Sequence, residues 1–370
     1  MMPAEPLDYL LIGHGLAGAV LAHTLAQAGA RLLVLDVPAP DSASRVAAGL
    51  VNPLAGRRFA LTWRAAELLP AAAAWYRAAE AATGTRFWHE LAIWKFFTSV
   101  EDANTGLTRV GEPFVGAAVA PADTPTLRAP FGGLALTGGG FLQTEAFLDA
   151  MTAHRKARGE LREEAFDPAR LTLPTTGAAT YELADGTTVA AHRVIFCEGA
   201  AAVLNPLWRW LPFTPNNGQV LDITLADPAG LPPDVVLNGG AYAVPQPGAP
   251  GRYRLGATYE WGDQPPAPTA AGRADLLGRL ARFAPGAATV AGHRAGRRPA
   301  VRDRRPLVGP HPADARLWLF NGFGSKGVGL APGLAAHLAA VLAGPETLWP
   351  EVNLARFAAL YPGADSMTPT

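Results

Sequence analysis

The sequence predicts an α/β fold: a parallel-sheet domain assembled from three separated chain segments, with a second, β-rich domain inserted twice. Three observations predict it. A strand, glycine turn, helix and strand open the chain, strand-and-glycine elements of the same kind return twice later, and β-type segments fill the stretches between them. The predicted boundaries are 1–84, 141–214 and 293–370 for the first domain, and 85–140 and 215–292 for the second.

The opening unit carries the first chemical signal. A short apolar run, Tyr9 to Ile12, leads into "GHGLAG", an amphipathic helix follows, and "RLLVLD" then forms a second apolar strand. The glycines have the G-x-G-x-x-G spacing of a Rossmann-like dinucleotide-binding turn, with an acidic residue about 20 residues further on. We therefore expect a dinucleotide diphosphate at the helix N-terminus and a ribose at the acid: Gly13, Gly15, Gly18 and Asp36.

The later elements follow in order. A helix is predicted over 62–82, strands and loops over 86–140, and a helix from Thr144. A hairpin turns at Asp185-Gly186 and leads into an apolar strand, 194–197. Further predictions are strands and one helix within 216–292 (the helix over 270–283), the strand "LWLFNG", and a helix over 334–342 whose N-terminus lies at Pro332.

Composition excludes several classes of function. The chain has 370 residues, 49% of them hydrophobic, and 31 basic against 31 acidic residues. Because the net charge is zero, no general positive field attracts nucleic acid or an anionic membrane. The single cysteine, Cys197, rules out an internal disulfide, and the scattered histidines give no metal-binding spacing. We therefore expect no metal site. The N-terminus shows neither a signal-peptide pattern nor a membrane span, so we expect a cytoplasmic protein.

The C-terminal third distinguishes a flavin from a nicotinamide cofactor. The stretch "NGFGSKGVGLAPG", residues 321–333, brings a glycine loop back to the nucleotide domain and runs into a helix. A helix N-terminus aimed at a reduced flavin stabilises its negative charge, whereas a plain nicotinamide enzyme has no need of this element. The alternative interpretation is an ordinary helix start.

Five stretches and Asp36 together carry a family resemblance: "LLIGHGLAG", "SRVAAGLVNP", "VIFCEGA", "AGRRPAVRDRRPLVG" and "NGFGSKGVGLAP". They resemble the D-amino-acid oxidase and glycine oxidase family of FAD-dependent (DAO) oxidoreductases over nearly the whole chain. The same stretches resemble the C-terminal oxidase domain of the bifunctional enzyme that modifies tRNA wobble uridine. The resemblance implies a Rossmann-like FAD-binding domain and a β-rich substrate domain.

The resemblance also implies which residues hold FAD. Relatives with covalent FAD have a cysteine near the place of Arg297-Arg298, so a non-covalent cofactor is expected here. The implied FAD contacts lie in the glycine turn, the "SRVAAGL" stretch, the segment after "LREE", the "CEGA" turn and the C-terminal glycine loop: Gly13, Gly15, Leu16, Ala17, Gly18, Asp36, Ser44, Arg45, Ala47, Ala48, Gly49, Leu50, Ala165, Phe166, Gly199, Gly322, Gly324, Ser325, Lys326, Gly327 and Val328.

An arginine-rich run, residues 295–310, supplies the candidate substrate anchor. In the family, the arginine before proline in "G-x-R-P" pairs with the substrate carboxylate, which implies that Arg298 is the clamp. The other arginines are expected to be structural, pairing with Asp303 or capping backbone, or solvated. Tyr242 and Tyr259 are candidates for substrate contact, and Lys326 for a position near the flavin. Each of these three also fits an ordinary strand tyrosine or loop lysine.

The expected reaction is oxidation of the C–N bond of a small amine or amino acid, with hydride transfer to flavin N5 and reoxidation by oxygen or another acceptor. Such chemistry depends on positioning more than on an acid or base side chain. Three alternatives stay open: a tRNA wobble-uridine oxidase, against which the neutral charge argues; a nicotinamide-dependent dehydrogenase; and a flavoprotein that turns over no amine.

Overall fold

The computed structural model describes residues 5–56, 59–227, 231–344 and 346–363. The α-helices within these residues are α1 (Leu16–Gln27), α2 (Ala43–Val46), α3 (Ala65–Thr83), α4 (Val100–Leu107), α5 (Thr144–Ala157), α6 (Ala270–Leu280) and α7 (Gly327–Ala343). Short 3-10 helices span Pro168–Arg170, Gly199–Val203 and Leu354–Leu360.

The strands, in chain order, are β1 (Leu7–Ile12), β2 (Leu32–Asp36), β3 (Leu50–Val51), β4 (Leu54–Ala55), β5 (Ala60–Leu61), β6 (Trp88–Glu90), β7 (Ala92–Phe96), β8 (Val115–Val119), β9 (Ala122–Asp123), β10 (Arg128–Ala129), β11 (Gly133–Leu136), β12 (Gly140–Leu142), β13 (Leu161–Glu163), β14 (Leu171–Thr172), β15 (Ala179–Glu182), β16 (Thr188–Phe196), β17 (Asn216–Leu225), β18 (Val235–Asn238), β19 (Tyr242–Pro245), β20 (Arg252–Gly256), β21 (Glu260–Trp261), β22 (Ala288–Arg298), β23 (Leu307–His311) and β24 (Asp314–Asn321).

The chain divides into two compact units. Unit 1 comprises Met1–Arg45, Glu145–Pro215 and Arg298–Thr370, and unit 2 comprises Val46–Thr144 and Asn216–Arg297. The predicted boundary at residue 84 therefore differs from the observed one, which follows Arg45. The reason is strand pairing: β3 pairs antiparallel with β12, so the stretch after Arg45 belongs to the sheets of unit 2.

Unit 1 is built on a sheet in which β13, β2, β1, β16 and β24 run parallel and adjacent in that order. Strands of a parallel sheet are buried on both faces, and β1 and β2 are accordingly apolar throughout their buried lengths. The predicted hairpin is present: β15 and β16 pair antiparallel around Asp185-Gly186. An α/β fold with a Rossmann-like unit is confirmed.

Unit 2 is dominated by a nine-stranded sheet with the order β21-β17-β20-β19-β18-β7-β11-β8, to which β22 adds by pairing with β17. Strands β17, β20 and β19 pair antiparallel, whereas β18 and β7 pair parallel. Helix α6 packs on β17 and β20. The prediction of a β-rich second domain with one helix near 270–283 matches this arrangement.

The helix predicted over 62–82 is α3, Ala65–Thr83, which contains Pro70 within its first two turns. No helix among the described residues is both long and apolar enough to cross a membrane. Within the same residues, no three histidine, cysteine, aspartate or glutamate side chains are grouped as metal ligands would be.

Candidate functional site

Three parallel strands of unit 1 end side by side. Ile12 of β1 pairs with Phe196 of β16, which in turn pairs with Leu319 of β24. The residues that follow these strand ends, among them Gly13, Glu198 and Gly322, therefore lie at one edge of the sheet. In open parallel sheets, ligands bind at the carboxyl ends of the strands, so this edge is the candidate site.

The glycine turn is packed too closely for any side chain. Gly13 has φ +97°, and a Cβ placed on it would lie 2.7 Å from the carbonyl oxygen of Cys197. A Cβ on Gly18 would lie 1.9 Å from the carbonyl oxygen of Gly13. Both positions need glycine for steric reasons, the first also for its backbone conformation. The prediction of a tight turn with helix α1 packed against it agrees with this geometry.

The N-terminus of α1 leaves backbone donors for a ligand. Its N-cap is Gly15, which has no side chain that could accept a hydrogen bond from the first turn of the helix. The backbone N–H of Leu16 donates to Ser44 Oγ at 3.0 Å. The first N–H groups of a helix have no partners inside the helix and carry partial positive charge, so they suit a diphosphate. This cradle fits the cofactor that the sequence implies.

The acid at the end of β2 is held by the same turn. Asp36 Oδ1 accepts a hydrogen bond from the backbone N–H of His14 at 2.8 Å. Burial raises the pKa of Asp36, although that hydrogen bond and Arg45 oppose the shift. Burial, with Arg155 and Arg45 nearby, lowers the pKa of His14 to about 3, so its imidazole is neutral at pH 7. A carboxylate fixed at this strand end can accept ribose hydroxyl groups.

The C-terminal glycine loop contacts the "RPAV" segment. The backbone N–H of Gly324 donates to the carbonyl oxygen of Pro299 at 3.1 Å. Gly322 has φ +76°, and a Cβ there would lie 2.8 Å from Val301 Cγ2. The part of the arginine run that follows Arg297 and the glycine loop are thus joined within unit 1. Asn321 anchors the loop, since its Nδ2 donates to the Gly199 carbonyl oxygen at 2.9 Å.

Helix α7 begins earlier than predicted. Its first residue is Gly327, after the N-cap Lys326, and Pro332 lies inside the helix. The predicted N-terminus at Pro332 is therefore wrong. Proline is tolerated close to a helix start because the first N–H groups lack partners there, and that preference favoured the incorrect assignment. The loop places Gly322, Gly324, Ser325, Lys326, Gly327 and Val328 at or just before the true helix N-terminus.

Lys326 lies in a positively charged neighbourhood. Burial lowers its pKa, and the nearby charges of Arg305 and Arg304 lower it further. Arg304 has φ +59°, a left-handed conformation that is uncommon for a residue with a side chain. Positive charges gathered at a helix N-terminus favour a negatively charged ligand group.

The arginine run divides into separate environments. Arg298 is the last residue of β22 and is half-buried. Arg297, one residue earlier and in unit 2, donates to the backbone oxygens of Gly262 and Asp263 at 3.5 and 3.3 Å. The Asp303 carboxylate, expected to pair within the run, is held by Arg356 from outside it, with Nε 2.8 Å from Oδ2.

The two candidate tyrosines of unit 2 have different environments. Tyr242 starts β19 and is half-buried, and its ring covers Gly256, where a Cβ would lie 2.6 Å from the tyrosine hydroxyl. Tyr259 is 56% exposed and precedes the edge strand β21, whose Trp261 is 67% exposed. Tyr242 thus has the packing of a strand residue, whereas most of the Tyr259 side chain is exposed.

The other predicted cofactor contacts lie in both units. In unit 1, Arg45 forms an ion pair with Asp149 at 2.8 Å, and Phe166 stacks on Tyr181 with ring centroids 5.3 Å apart, beside the exposed Ala165. In unit 2, a Cβ on Gly49 would lie 1.9 Å from the carbonyl oxygen of Leu142. Three further predicted contacts flank Gly49: Ala47, Ala48 and Leu50.

Sequence reasoning missed one polar group at the strand ends. Glu198 follows Cys197 directly after β16, and its Oε2 accepts a hydrogen bond from Asn205 Nδ2 at 2.9 Å. The only signal in the sequence was an acidic residue between an apolar strand and a glycine, in "VIFCEGA". An acid that ends a strand in this way is a recognisable candidate for the ligand edge of a parallel sheet.

Comparisons with known proteins agree with this geometry. The family described as "FAD dependent oxidoreductase" (DAO) matches residues 8–341. The tRNA 5-methylaminomethyl-2-thiouridine biosynthesis bifunctional protein MnmC of Paracidovorax citrulli is 33% identical over 95% of this chain, which spans 60% of that relative's length. The uncharacterized oxidoreductase YurR of Bacillus subtilis is 26% identical, covering 92% of this chain and 96% of the relative.

Among solved structures, the glycine oxidase of Geobacillus kaustophilus superposes with a TM-score of 0.78 at 23% identity, over 96% of this chain and 98% of that one. At this identity the likeness establishes the fold alone. The family match, which covers most of the chain, and the FAD-type cradle lead to one conclusion. The chain belongs to the DAO family of FAD-dependent oxidoreductases.

Proposed function

We propose that this enzyme oxidises the C–N bond of a small amine or amino acid whose carboxylate pairs with Arg298. One observation carries the proposal: the hydrogen bond from Gly324 N–H to the Pro299 carbonyl oxygen joins the residue after Arg298 to the glycine loop at the start of α7. An arginine at that place can present two parallel N–H donors to a carboxylate. The two units would then serve as FAD-binding and substrate domains.

Bound FAD would supply an acceptor for the hydride on the carbon next to the amine nitrogen. The chain's own residues position the reactants. Arg298 would orient the substrate through its carboxylate, and the N-terminus of α7 would favour negative charge near it. Positioning of this kind accounts for several orders of magnitude in rate without an acid or base side chain. Water would hydrolyse the resulting imine, and oxygen or another acceptor would take the electrons.

The test begins with the visible spectrum of the purified protein. Glycine, sarcosine, proline and D-amino acids are then added in turn without oxygen, and bleaching of the oxidised flavin bands is expected with one of them. Arg298→Ala should raise KM for a carboxylate substrate by about 30- to 150-fold while FAD stays bound, since a charged hydrogen-bonded pair contributes about 2–3 kcal/mol.

Arg302→Ala is the matched control, because Arg302 belongs to the same run but its side chain is exposed. This variant should keep the KM of the unmodified enzyme. Equal KM values for Arg298→Ala and the unmodified enzyme would show that the carboxylate clamp lies elsewhere.

A second candidate function is oxidation of an amine carried on a tRNA wobble uridine. It is supported by the identity of 33% over 95% of this chain to a relative named for tRNA 5-methylaminomethyl-2-thiouridine biosynthesis. The net charge of zero opposes it, because RNA binding depends on neutralising phosphates. Retention of tRNA at low salt, lost at high salt, would favour this candidate. Bleaching of the flavin by a free amino acid without tRNA would favour the first.

A further inference from the structure

Glu198 lies where the glycine turn meets the neighbouring strand. The backbone N–H of Cys197 donates to the Ile12 carbonyl oxygen at 2.7 Å, which extends the pairing of β16 with β1 up to the turn. A Cβ built on Gly13 would lie 3.4 Å from the Cα of Glu198. The carboxyl group therefore belongs to a residue in contact with the first glycine of the diphosphate cradle.

The hydrogen bonds around Glu198 fix the orientation of its partner. Asn205 Oδ1 accepts from the backbone N–H of Leu207 at 3.0 Å, so the amide nitrogen Nδ2 must face Glu198 Oε2. An amide N–H donates to a carboxylate and to the carbonyl oxygen of a carboxylic acid alike. Oε2 is thus an acceptor in either protonation state, and a proton on this group resides on Oε1.

No cation among the described residues balances Glu198. Burial raises its pKa to about 7, and the only opposing influence is the hydrogen bond from Asn205. Titratable groups before it in the chain or after the neighbouring strands are Cys197, His14 after β1, Lys326 after β24 and Arg209 beyond Asn205. Neither Lys326 nor Arg209 lowers the pKa of Glu198. Burial raises the pKa of the Cys197 thiol, with Glu198 adding to the shift, and the His14 pKa is about 3, so both are neutral near pH 7.

We propose that Glu198 is a cofactor-binding residue that carries a proton on Oε1 when FAD is bound, so that FAD binding near neutral pH takes up one proton from solvent. The reason is electrostatic. The diphosphate of FAD would bring negative charge to the cradle beside Gly13, and a second anion close to it would be repelled. The inference rests on FAD binding alone and not on amine turnover.

Thermodynamic linkage between protonation of Glu198 and FAD binding determines how the affinity for FAD depends on pH. FAD favours protonated Glu198, so FAD raises the pKa of that group, and protonation in turn strengthens FAD binding. Below about pH 7 the group is already protonated in the free protein, and affinity should be constant. Above that pH the proton must be acquired on binding, and the Kd for FAD should rise by up to about tenfold per pH unit.

The test measures FAD affinity by dilution of the holoprotein, using the flavin fluorescence that appears on release, at several pH values from 6.0 to 8.5. For the unmodified protein, a Kd that rises above pH 7 is expected. In Glu198→Gln, which imitates the protonated carboxyl, the rise should vanish, and FAD should bind at least tenfold more tightly than to the unmodified protein at pH 8.5. Glu182→Gln, at an exposed position of β15, is the matched control and should keep the rise.

Two results would overturn the proposal. One is a Kd for the unmodified protein that does not change between pH 6.5 and 8.5, which needs no variant at all. The other is a rise of the same slope in Glu198→Gln, which would assign the titration to another group such as Lys326. If the glutamine variant does not accumulate, Glu198→Ala answers the same question, because it too lacks the titrating proton.

Discussion

Ser44 Oγ accepts a hydrogen bond from the backbone N–H of Leu16, 3.0 Å away, and thereby occupies one of the donors at the N-terminus of α1. The serine comes from α2, 28 residues later in the sequence, and a Cβ on Gly15 would lie only 3.2 Å from the same oxygen. A hydroxyl group in this position acts as a helix cap that the helix itself lacks. It also orients the N–H groups that remain for the diphosphate.

Ser44→Ala should weaken FAD binding and lower stability together. Loss of a cap costs about 1 kcal/mol, so the free energy of unfolding should fall by that amount and the Kd for FAD should rise about fivefold. Ser99→Ala is the matched control, because Ser99 caps α4 in unit 2 by accepting from the Asp102 N–H at 3.2 Å. It should lower stability similarly and leave the Kd unchanged. An unaltered Kd in Ser44→Ala would show that Ser44 does not contribute to FAD binding.

Gly18→Ala should prevent normal folding of the cofactor cradle. The added Cβ would lie 1.9 Å from the Gly13 carbonyl oxygen and 2.9 Å from its carbonyl carbon, so the backbone of the turn would have to shift. We expect loss of flavin from the purified protein and a destabilisation of more than about 3 kcal/mol, measured by denaturant unfolding.

Gly278→Ala provides the comparison, since Gly278 lies inside α6 and, apart from its chain neighbours and the nearby backbone of α6, no described atom comes within 4 Å of its Cβ position. Alanine has a higher helix propensity than glycine, so this variant should be as stable as the unmodified protein or more stable by up to about 1 kcal/mol. If both variants behaved alike, close packing would not be the reason for glycine at position 18.

Sequence patterns predicted the turns and strand ends whose conformation depends on residues close together in the chain. The turn at Gly13, the acid at Asp36 and the hairpin at Asp185-Gly186 each follow from residue types whose backbone or hydrogen-bonding needs are visible in the sequence. The start of α7 was missed because the loop residues before Pro332 resemble irregular chain. Their helical conformation comes with burial of Val328 and Leu330, which is a tertiary effect.

The site could be predicted only in part, because its contacts also depend on tertiary structure. Spacing and family resemblance identify which residues are candidates, but they do not reveal which loop residues are in contact. The hydrogen bond from Gly324 to Pro299 spans 25 residues and that from Asn205 to Glu198 spans seven, and each depends on how the chain folds after β24 and β16 in unit 1. Neither partner carries a sequence pattern that indicates the other.

Substitutions of the two candidate tyrosines should have different effects, one on stability and the other on substrate binding. Tyr242→Ala removes a half-buried ring packed over Gly256 and should lower the free energy of unfolding by about 2 kcal/mol. Tyr259→Ala removes an exposed ring and should change stability by less than about 0.5 kcal/mol. If Tyr259 contacts the amine substrate, KM alone should rise in the second variant. An unchanged KM would remove Tyr259 from the substrate site.

Buried histidines should make unit 1 sensitive to acid. His23 is 3% exposed, and burial together with Arg155, His154 and Arg158 lowers its pKa to about 4. Because the unfolded chain binds this proton at about pH 6.5, the unfolded state takes up more protons between pH 6.5 and 4, and stability falls as the pH is lowered through that window. Above pH 6.5 the group contributes no slope.

One such histidine contributes at most about 1.4 kcal/mol per pH unit to the slope of unfolding free energy against pH. His23→Gln should reduce the measured slope between pH 6.5 and 4 by an amount approaching this limit, since glutamine does not titrate. His192→Gln, at an exposed position of β16, should leave the slope as it is. The measurement is denaturant unfolding at half-unit pH steps. Equal slopes in His23→Gln and the unmodified protein would mean that another group, such as His14, dominates the acid response.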